Sequence, residues 1–387
     1  MDIVCISSVD WEPLWTRKQQ IMYRIPSPHR ILYVEPPISF LSPYKDPQVS
    51  FKKDLSRVGI RPLNERIWLW SPPVVLPFGS RFPGFNAVNQ KMMAREIKKV
   101  LQELGFKDVV LWTYLHTSCD LVNQLDEVMV VYDCVDEHSA YDNFSPELVQ
   151  AMERRLLAQC DLVFTTARGL YESKKEFSRE IYLSPNAADI RHFIKADRDE
   201  TPVAADIRHL PHPILGFIGA IKEWIDLDLI AGVAERMPGA SFVMIGPVGA
   251  NVDRGRAGEL PNVHFLGHRD RQVLPQYLKG FDLCLNPFKE NELTATVSPL
   301  KFYEYLASGR PIVSVPMPEI MDFAGMVEFG RGVEGFTAAI GRGLQDTPEK
   351  KAARCRRARD NSWENRARFM LDIIEPRYEE KMAGIKR

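Results

Sequence analysis

The sequence predicts an α/β protein with two doubly wound domains, each built on a parallel sheet covered by helices on both faces. Three observations lead to this prediction. The chain has 387 residues, which is too many for a single hydrophobic core of ordinary size. Short, unbroken apolar runs alternate with helical patterns along most of the chain. The alternation stops once, at residues 201–213, where three prolines and the lack of a period indicate a linker.

The first domain is expected over residues 1–205, and its strands are the apolar, β-branched runs of the first half of the chain. Helical patterns such as residues 87–104 and 145–160 lie between several of them. The predicted strands are residues 3–9, 30–36, 66–72, 109–115, 128–134, 162–167 and 181–185.

The second domain is expected over residues 206–361, and residues 362–387 are expected to form a helical segment. Two doubly wound domains in succession form a cleft, and ligands of such sheets bind at the carboxyl ends of the strands. The predicted strands of the second domain are residues 214–221, 241–246, 263–267, 282–288 and 311–315.

Composition and charge limit the class of protein. Hydrophobic residues make up 45% and charged residues 26% of the chain, as in soluble globular proteins. The net charge of −1 gives no general attraction to nucleic acid, so no nucleic-acid partner is expected. The six cysteines are scattered without metal-ligand spacing, and no signal peptide or membrane span is recognisable. We therefore expect a cytoplasmic protein with reduced thiols and no metal.

Charge is distributed unevenly along the chain. Residues 1–110 hold 16 Lys and Arg against 10 Asp and Glu, whereas residues 111–200 hold 9 against 17. A basic face in the first domain, together with the aromatic residues of DWEPLW and RFPGF, could bind an anionic membrane surface or an anionic acceptor. A mixed, solvated surface is the alternative, and the sequence leaves both open.

The stretch SPLKFYEYLASGRP, residues 298–311, has the signals of a short helix. Ser298 can cap it, Pro299 suits the first helical position and Gly309 suits the end. Lys301, however, places a cation in the first turn, where the helix dipole costs it a few tenths of a kcal/mol. The dipole penalty is outweighed if an anion is bound there, because N–H groups and a lysine together bind phosphate.

Glu304 lies one turn further along the same helix face and could accept hydrogen bonds from a sugar diol such as a ribose. A phosphate site and a ribose site one turn apart fit a nucleotide diphosphate. The alternatives are that Lys301 is simply exposed, or that it pairs with Glu304 or Glu290.

Other candidate residues follow predicted strands. Neither a GxxxxGK[ST] nor a GxGxxG motif is present, which argues against a P-loop hydrolase and a dinucleotide-binding domain. Glycines that would allow close approach of a ligand follow two strands of the second domain, at Gly216, Gly219, Gly246 and Gly249.

Two histidines and an acidic cluster also follow predicted strands. His116 lies just after a first-domain strand and His268 just after a second-domain strand. The segment YDCVDEHSAYDN, residues 132–143, contributes Asp133, Asp136, Glu137, His138 and Asp142. These groups could bind hydroxyls or act as a base, while turn formation explains each of them equally well.

The stretch SPLKFYEYLASGRPIV resembles the donor-site helix of GT-B glycosyltransferases, especially the large retaining group with a Glu-x7-Glu motif. Three further stretches are similar to family blocks in the same order: YLSPNAADIRHF (182–193), NVHFLGHRDRQVLPQYLKGFDLCLNPF (262–288) and the opening loop DWEPLWTRKQQIMYRI (10–25). The subgroup they resemble serves polysaccharide and teichuronic acid synthesis. The resemblance implies two Rossmann-like domains facing a cleft, with the C-terminal helix crossing back to the first.

The resemblance also implies roles for particular residues. Glu304 would hold the donor ribose, and Lys301 would hold the diphosphate together with Ser298, Pro299 and Leu300. Other donor-binding positions implied are Gly219, Lys222, Gly246, Gly267, His268, Arg269 and Thr296. His116 and the segment from Asp133 to His138 would lie near the transferred sugar, so Lys301, Asp136 and His116 are the catalytic candidates.

Two positions depart from the family pattern. The first Glu of Glu-x7-Glu falls at Thr296, which leaves the donor sugar open. An Arg expected after the glycine of the first second-domain loop is Ala220, and Lys222 is the nearby cation. The departing diphosphate would therefore depend more on Lys301.

The function expected from these residues is transfer of a sugar from a nucleotide diphosphate sugar to a glycan or lipid-linked acceptor, with retention and without a metal or other cofactor. The alternatives are a nucleotide-sugar epimerase of the same fold and a non-catalytic nucleotide-sugar-binding or scaffold protein.

Overall fold

The computed structural model describes residues 1–13, 15–38, 59–77, 82–140 and 145–385. The chain divides into two compact units, Met1–Pro185 with Arg366–Arg387, and Asn186–Asn365. Asp142 of the predicted acidic cluster lies outside the described residues. No helix within them is long and apolar enough to span a bilayer.

The first unit is built on an eight-stranded sheet of order β3-β4-β2-β1-β5-β6-β7-β8. All neighbouring strands are parallel except β3 and β4. The strands are β1 Asp2–Ile6, β2 Arg30–Val34, β3 Gly59–Pro62, β4 Ile67–Ser71, β5 Val109–Thr113, β6 Met129–Cys134, β7 Leu162–Thr165 and β8 Ile181–Leu183. The helices are α1 Arg17–Arg24, α2 Pro83–Leu104, α3 Pro146–Gln159 and α4 Arg168–Lys174, and short 3₁₀ turns cover His116–Asp120 and His138–Ala140.

Local sequence explains where the helices of this unit begin and end. Thr16 and Gln19 form a capping box at the start of α1, and proline occupies the first turn of α2 and of α3. Gly105 ends α2 in the left-handed conformation. Apolar residues of α2 and α3 pack with alternate residues of the central strands in one buried cluster. The intervening strand residues are also buried, so both faces of these strands are apolar and their sequences are unbroken apolar runs.

The second unit has a six-stranded parallel sheet of order β11-β10-β9-β12-β13-β14. Its strands are β9 Ile214–Ile218, β10 Ser241–Ile245, β11 Val263–Gly267, β12 Leu283–Asn286, β13 Ile312–Ser314 and β14 Glu328–Phe329. Its helices are α5 Ile190–Phe193, α6 Leu227–Arg236, α7 Leu274–Gly280, α8 Glu292–Ala295, α9 Leu300–Ser308, α10 Gly332–Gly343 and α11 Pro348–Asp360. The C-terminal helix α12, Trp363–Ile385, belongs to the first unit from Arg366 onward.

The two α/β sheets were predicted, and the differences lie at their edges. The short strands β3 and β14 were missed because their sequences are not apolar runs. Residues 201–213, expected to be a linker, belong to the second unit, since Ala204 and Ile207 are buried in its core. The unit begins at Asn186, earlier than the expected boundary after residue 205, because Phe193 and Ala196 are also part of that core.

Three glycines shape the carboxyl edge of the second sheet. Gly219, Gly246 and Gly267 follow or end β9, β10 and β11, each with a positive φ. A Cβ on Gly246 would lie 1.8 Å from the carbonyl oxygen of Gly219. The neighbouring loop therefore requires glycine at position 246 whether or not a ligand is bound.

Gly246→Ala is expected to destabilise the second unit by at least about 2 kcal/mol, because both the backbone conformation and the loop contact would be strained. Gly341 in α10 is the matched control, since a Cβ there meets nothing within 4 Å. Gly341→Ala should leave stability unchanged or raise it slightly. Urea unfolding measures both variants, and equal midpoints would contradict the prediction.

Candidate functional site

The candidate site of the second unit lies at the carboxyl edge of its sheet, where α9 begins. The loops after β9 and β12 meet there, since Asp226 N donates to Pro287 O at 2.8 Å and Lys289 N to Trp224 O at 2.8 Å. Parallel strands place their carboxyl ends together, so residues far apart in the sequence converge at this edge.

Tyr305 joins α9 to the end of β9. Its buried hydroxyl accepts a hydrogen bond from Ile218 N at 2.7 Å and donates to Ile218 O at 3.2 Å. The contact fixes the start of the loop that carries Gly219 relative to the helix that carries Lys301. Sequence reasoning gave Tyr305 no role, because its partner is a backbone group distant in the sequence.

The start of α9 differs from the expectation in one respect. The helix begins at Leu300 with Pro299 as its N-cap, and no side chain caps it. Ser298 was expected to be the cap, but its Oγ accepts from Asn186 N at 3.1 Å and its carbonyl accepts from the Asn186 side chain at 2.7 Å. Gly309 ends the helix in the left-handed conformation, as predicted.

Lys301 and Glu304 form an ion pair in this structure, with Nζ 2.8 Å from Oε2. The pairing with Glu304 was one of the open alternatives; Glu290, the other, pairs with Arg331 at 2.9 Å. The side chain of Lys301 is 29% exposed and that of Glu304 is 8% exposed. A partly exposed pair of this kind contributes only about 1 kcal/mol or less, so a dianionic ligand could displace Glu304 from the lysine.

The other residues predicted to bind the donor differ in their exposure and in their contacts within the chain. The ammonium of Lys222 lies 5.4 Å from the centroid of the Trp224 ring, and His268 is exposed. Thr296 is half-buried in the segment between α8 and α9. Lys222 and His268 remain accessible to a ligand in the second unit.

Arg269 has an internal structural role. Its guanidinium donates to Tyr277 Oη at 2.7 Å, to Asp206 at 2.9 Å and to the carbonyls of Leu266 and His268 at 2.5 and 3.0 Å. These bonds fix the loop after β11, and the Asp206 and Tyr277 contacts raise the pKa of the arginine. Arg269 therefore positions Gly267 and His268, a role that its distant partners hid from sequence reasoning.

The first unit has its own polar cluster at the carboxyl edge of β5 and β6. Asp133, in β6, is fully buried and paired with Arg17 of α1 at 2.8 Å. Glu137 is paired with Lys174 at 2.7 Å, and Lys174 also contacts Glu153 at 2.6 Å. Two of the predicted acidic residues are thus part of internal ion pairs that hold the segment after β6.

Asp136 differs from Asp133 and Glu137. Its carboxylate forms no hydrogen bond or ion pair with any other residue in the described part of the chain, and the side chain is half-buried. A role of Asp136 in binding a hydroxyl group stays a prediction.

His116 and His138 are close neighbours, with ring centroids 5.3 Å apart. Both are buried. Burial, and secondarily the neighbouring His138, lowers the pKa of His116 to about 3. His116 is therefore neutral at physiological pH and is suited to hydrogen bonding rather than to supplying a proton as an imidazolium.

His116→Gln is expected to reduce the loss of stability in acid. The unfolded chain binds a proton at His116 near pH 6.5 whereas the folded chain does so only near pH 3, so the stabilising effect is complete above pH 6.5 and is lost as the pH falls toward 3. The slope due to this group approaches about 1.4 kcal/mol per pH unit. Urea unfolding at several pH values measures it, and His209→Gln, on the surface, serves as the control.

If the His116→Gln variant lost as much free energy of unfolding in acid as the wild type, His116 would not be the group responsible.

Among the described residues, no group of three or more His, Cys, Asp or Glu side chains is arranged to hold a metal ion.

A separate cavity of about 540 Å³ lies at the opposite edge of the second sheet. His212, Asp282 and Pro311, which line it, precede β9, β12 and β13. None of the predicted site residues lines this cavity.

Comparison with known proteins finds a family match within the second unit. Residues 212–346 match the glycosyl transferases group 1 family. The chain is 27% identical over 203 residues to TuaH of Bacillus subtilis (strain 168), which is named as a teichuronic acid biosynthesis glycosyltransferase. The match covers 49% of this chain and 51% of TuaH, so it spans about half the length of each.

Solved structures agree in fold over nearly the whole chain. Sucrose-phosphate synthase from Thermosynechococcus elongatus has a TM-score of 0.70 at 14% identity, covering 98% of this chain and 99% of its own. Anabaena HepE in complex with UDP and glucose has a TM-score of 0.63 at 14% identity, covering 96% and 99%. An E. coli trehalose-6-phosphate protein bound with UDP-2-fluoro glucose has a TM-score of 0.70 at 10% identity, covering 96% and 98%.

These likenesses match the fold predicted from the sequence and locate the family match in the unit that carries α9. Residues 212–346 match the glycosyl transferases group 1 family, on a chain with the GT-B fold.

Proposed function

We propose that the protein transfers a sugar from a nucleotide diphosphate sugar to a glycan or lipid-linked acceptor, with retention of the anomeric configuration. The observation that carries the proposal is the Lys301–Glu304 pair at the start of α9, at the carboxyl edge of a glycosyl transferase group 1 domain. The similarity to TuaH supports a role in polysaccharide synthesis. The UDP complexes among the similar structures make UDP the first nucleotide to test.

The chemistry proposed at this site is electrostatic. As the sugar leaves, negative charge grows on the diphosphate, and Lys301 and the N–H groups at the start of α9 would stabilise it. Glu304 would release Lys301 and accept hydrogen bonds from the ribose hydroxyls instead. Lys222 would add a second cation, and Gly219, Gly246, Gly267, His268 and Thr296 would line the donor.

In the first unit, Asp136 and neutral His116 would bind the acceptor hydroxyl. If the leaving phosphate takes the acceptor proton, no strong protein base is needed. The proposal therefore requires neither a metal nor another cofactor, and rates in the presence of EDTA should equal those without it.

A thermal-shift screen with UDP, GDP and their sugars tests donor binding, since a ligand that binds only the native state raises the melting temperature. Incubation with donor alone then separates two activities of this fold. Isomerisation of the sugar would favour an epimerase, whereas acceptor-dependent release of nucleotide diphosphate would support transfer. Failure of every nucleotide to bind would overturn the proposal.

We also propose that the first unit binds an anionic membrane surface from the cytoplasmic side. Phe82 and Phe85, at the start of α2, are 52% and 44% exposed and contact each other edge to face. Val88, on the next turn, is also exposed. Exposed apolar side chains within the basic segment of residues 1–110 favour a position at the interface between membrane and water.

Flotation with anionic liposomes tests this membrane proposal. Phe85→Ser should reduce binding several-fold, whereas Phe177→Ser, at another exposed phenylalanine of the first unit, should not. Absence of wild-type binding at low salt would dismiss the proposal.

A further inference from the structure

The opening of α1 is a turn in which most polar side chains have internal partners. Arg17 Nε donates to both carboxylate oxygens of Asp133, at 3.1 and 2.8 Å. Gln19 Oε1 accepts from Thr16 N at 2.9 Å, and its Nε2 donates to Asp10 O at 2.8 Å. These bonds explain why Arg and Gln stand at positions 17 and 19.

Lys18, between them, has no such explanation. Its side chain is almost completely buried, with 6% exposure, yet it forms no hydrogen bond or ion pair with any residue that the structure describes. Its ammonium lies 5.5 Å from the centroid of the Tyr114 ring, a cation–π contact. A buried ammonium without a partner is costly, because it has lost most of its hydration.

A second unpartnered donor lies beside it. Tyr114 directly follows β5 and is fully buried, and its hydroxyl has no hydrogen-bond partner among the described residues. Buried polar groups in native proteins are nearly always bonded. The partnerless ammonium of Lys18 and the unsatisfied hydroxyl of the tyrosine whose ring it contacts therefore favour an acceptor from outside the chain.

The charges around Lys18 are those of Arg17, Asp133 and Asp136, with the thiol of Cys5 also close. Arg17 and Asp133 neutralise each other. Asp136 is the carboxylate with the largest electrostatic effect on Lys18, but it does not reach ion-pair distance. Burial lowers the pKa of Lys18, and binding an anion would favour its charged form.

We propose that Lys18, held in place by the Tyr114 ring, binds an oxyanion of the acceptor, either a phosphate ester or a carboxylate. An ammonium acts as a point charge toward such groups, and the Tyr114 hydroxyl provides a second donor. Calling the ligand the acceptor rests on the proposed function; the anion site itself does not.

Anion binding is tested with the full chain carrying Lys301→Ala, so that the second unit does not compete for anions. Calorimetry with methyl phosphate, with glucuronate and with neutral methyl glucoside distinguishes the two anions from an uncharged sugar. We expect at least one anion to bind, and Lys18→Met to weaken that binding more than tenfold. Tyr114→Phe should weaken it less. Lys99→Met, at an exposed lysine of α2, is the control and should leave binding unchanged.

Thermal unfolding separates a binding role from a structural one. Lys18→Met replaces an unpaired buried charge with an apolar side chain of similar length, so the melting temperature without ligand should stay the same or rise. A large fall would show that Lys18 stabilises the fold. Absence of anion binding, or equal binding by Lys18→Met, would overturn the inference. Lys18-dependent anion binding in a protein that binds no nucleotide sugar would uphold the site and reject only the donor assignment.

Discussion

Replacement of Lys301 by alanine is expected to lower the turnover of sugar transfer by more than tenfold. Its ammonium lies at the start of α9, where the helix N–H groups also point. A single preorganised donor at a developing negative charge contributes roughly 2.7–4 kcal/mol in other enzymes. Ala220 stands where the glycosyltransferase pattern that the sequence resembles has an Arg, so fewer cations would share the charge of the leaving diphosphate. Steady-state rates with saturating donor measure the effect.

Lys350→Ala is the matched control for Lys301→Ala. Lys350 also belongs to the second unit and also pairs with a glutamate, Glu328, at 2.9 Å. Both variants remove one cation and one partly exposed ion pair, so their effects on stability should be similarly small. The loss of turnover should be specific to Lys301. Near-normal turnover by Lys301→Ala would contradict the assignment of Lys301 to the diphosphate of the donor.

The sheets could be predicted because their sequences are nearly continuous apolar runs. Strands buried on both faces, such as β5 and β10, need no long-range information to be recognised. The edge strands β3 and β14 could not be recognised, since β3 is polar and β14 has only two residues. Residues 201–213 were misinterpreted because Ala204 and Ile207 contact a core that local sequence does not reveal.

The candidate site was predictable only where its signals are local. The helix that carries Lys301 and Glu304 has a proline before it and a glycine after it, and the spacing of three residues puts both side chains on one face. Ser298 was misassigned because its partner, Asn186, lies in another part of the chain. The role of Lys18 was missed since burial without a partner is visible only in three dimensions.

The Lys301–Glu304 pair gives the cation at the N-terminus of α9 a partner within the chain. On the proposed function, a bound nucleotide diphosphate would separate the two side chains. The two residues should then show opposite preferences among fragments of the donor: the lysine for the phosphates and the glutamate for the nucleoside.

Glu304→Gln is expected to weaken the binding of UDP or another nucleotide diphosphate by about tenfold, because a neutral amide would replace the carboxylate that we propose accepts hydrogen bonds from the ribose hydroxyls. Pyrophosphate should bind the variant as well as or better than it binds the wild type, since Lys301 no longer has to leave Glu304. Calorimetry with both ligands measures this contrast. Glu328→Gln, which breaks the matched pair with Lys350, should change neither affinity. If Glu304→Gln weakened the binding of pyrophosphate and of the nucleotide equally, Glu304 would be acting only by positioning Lys301. Its assignment to the ribose would then be wrong.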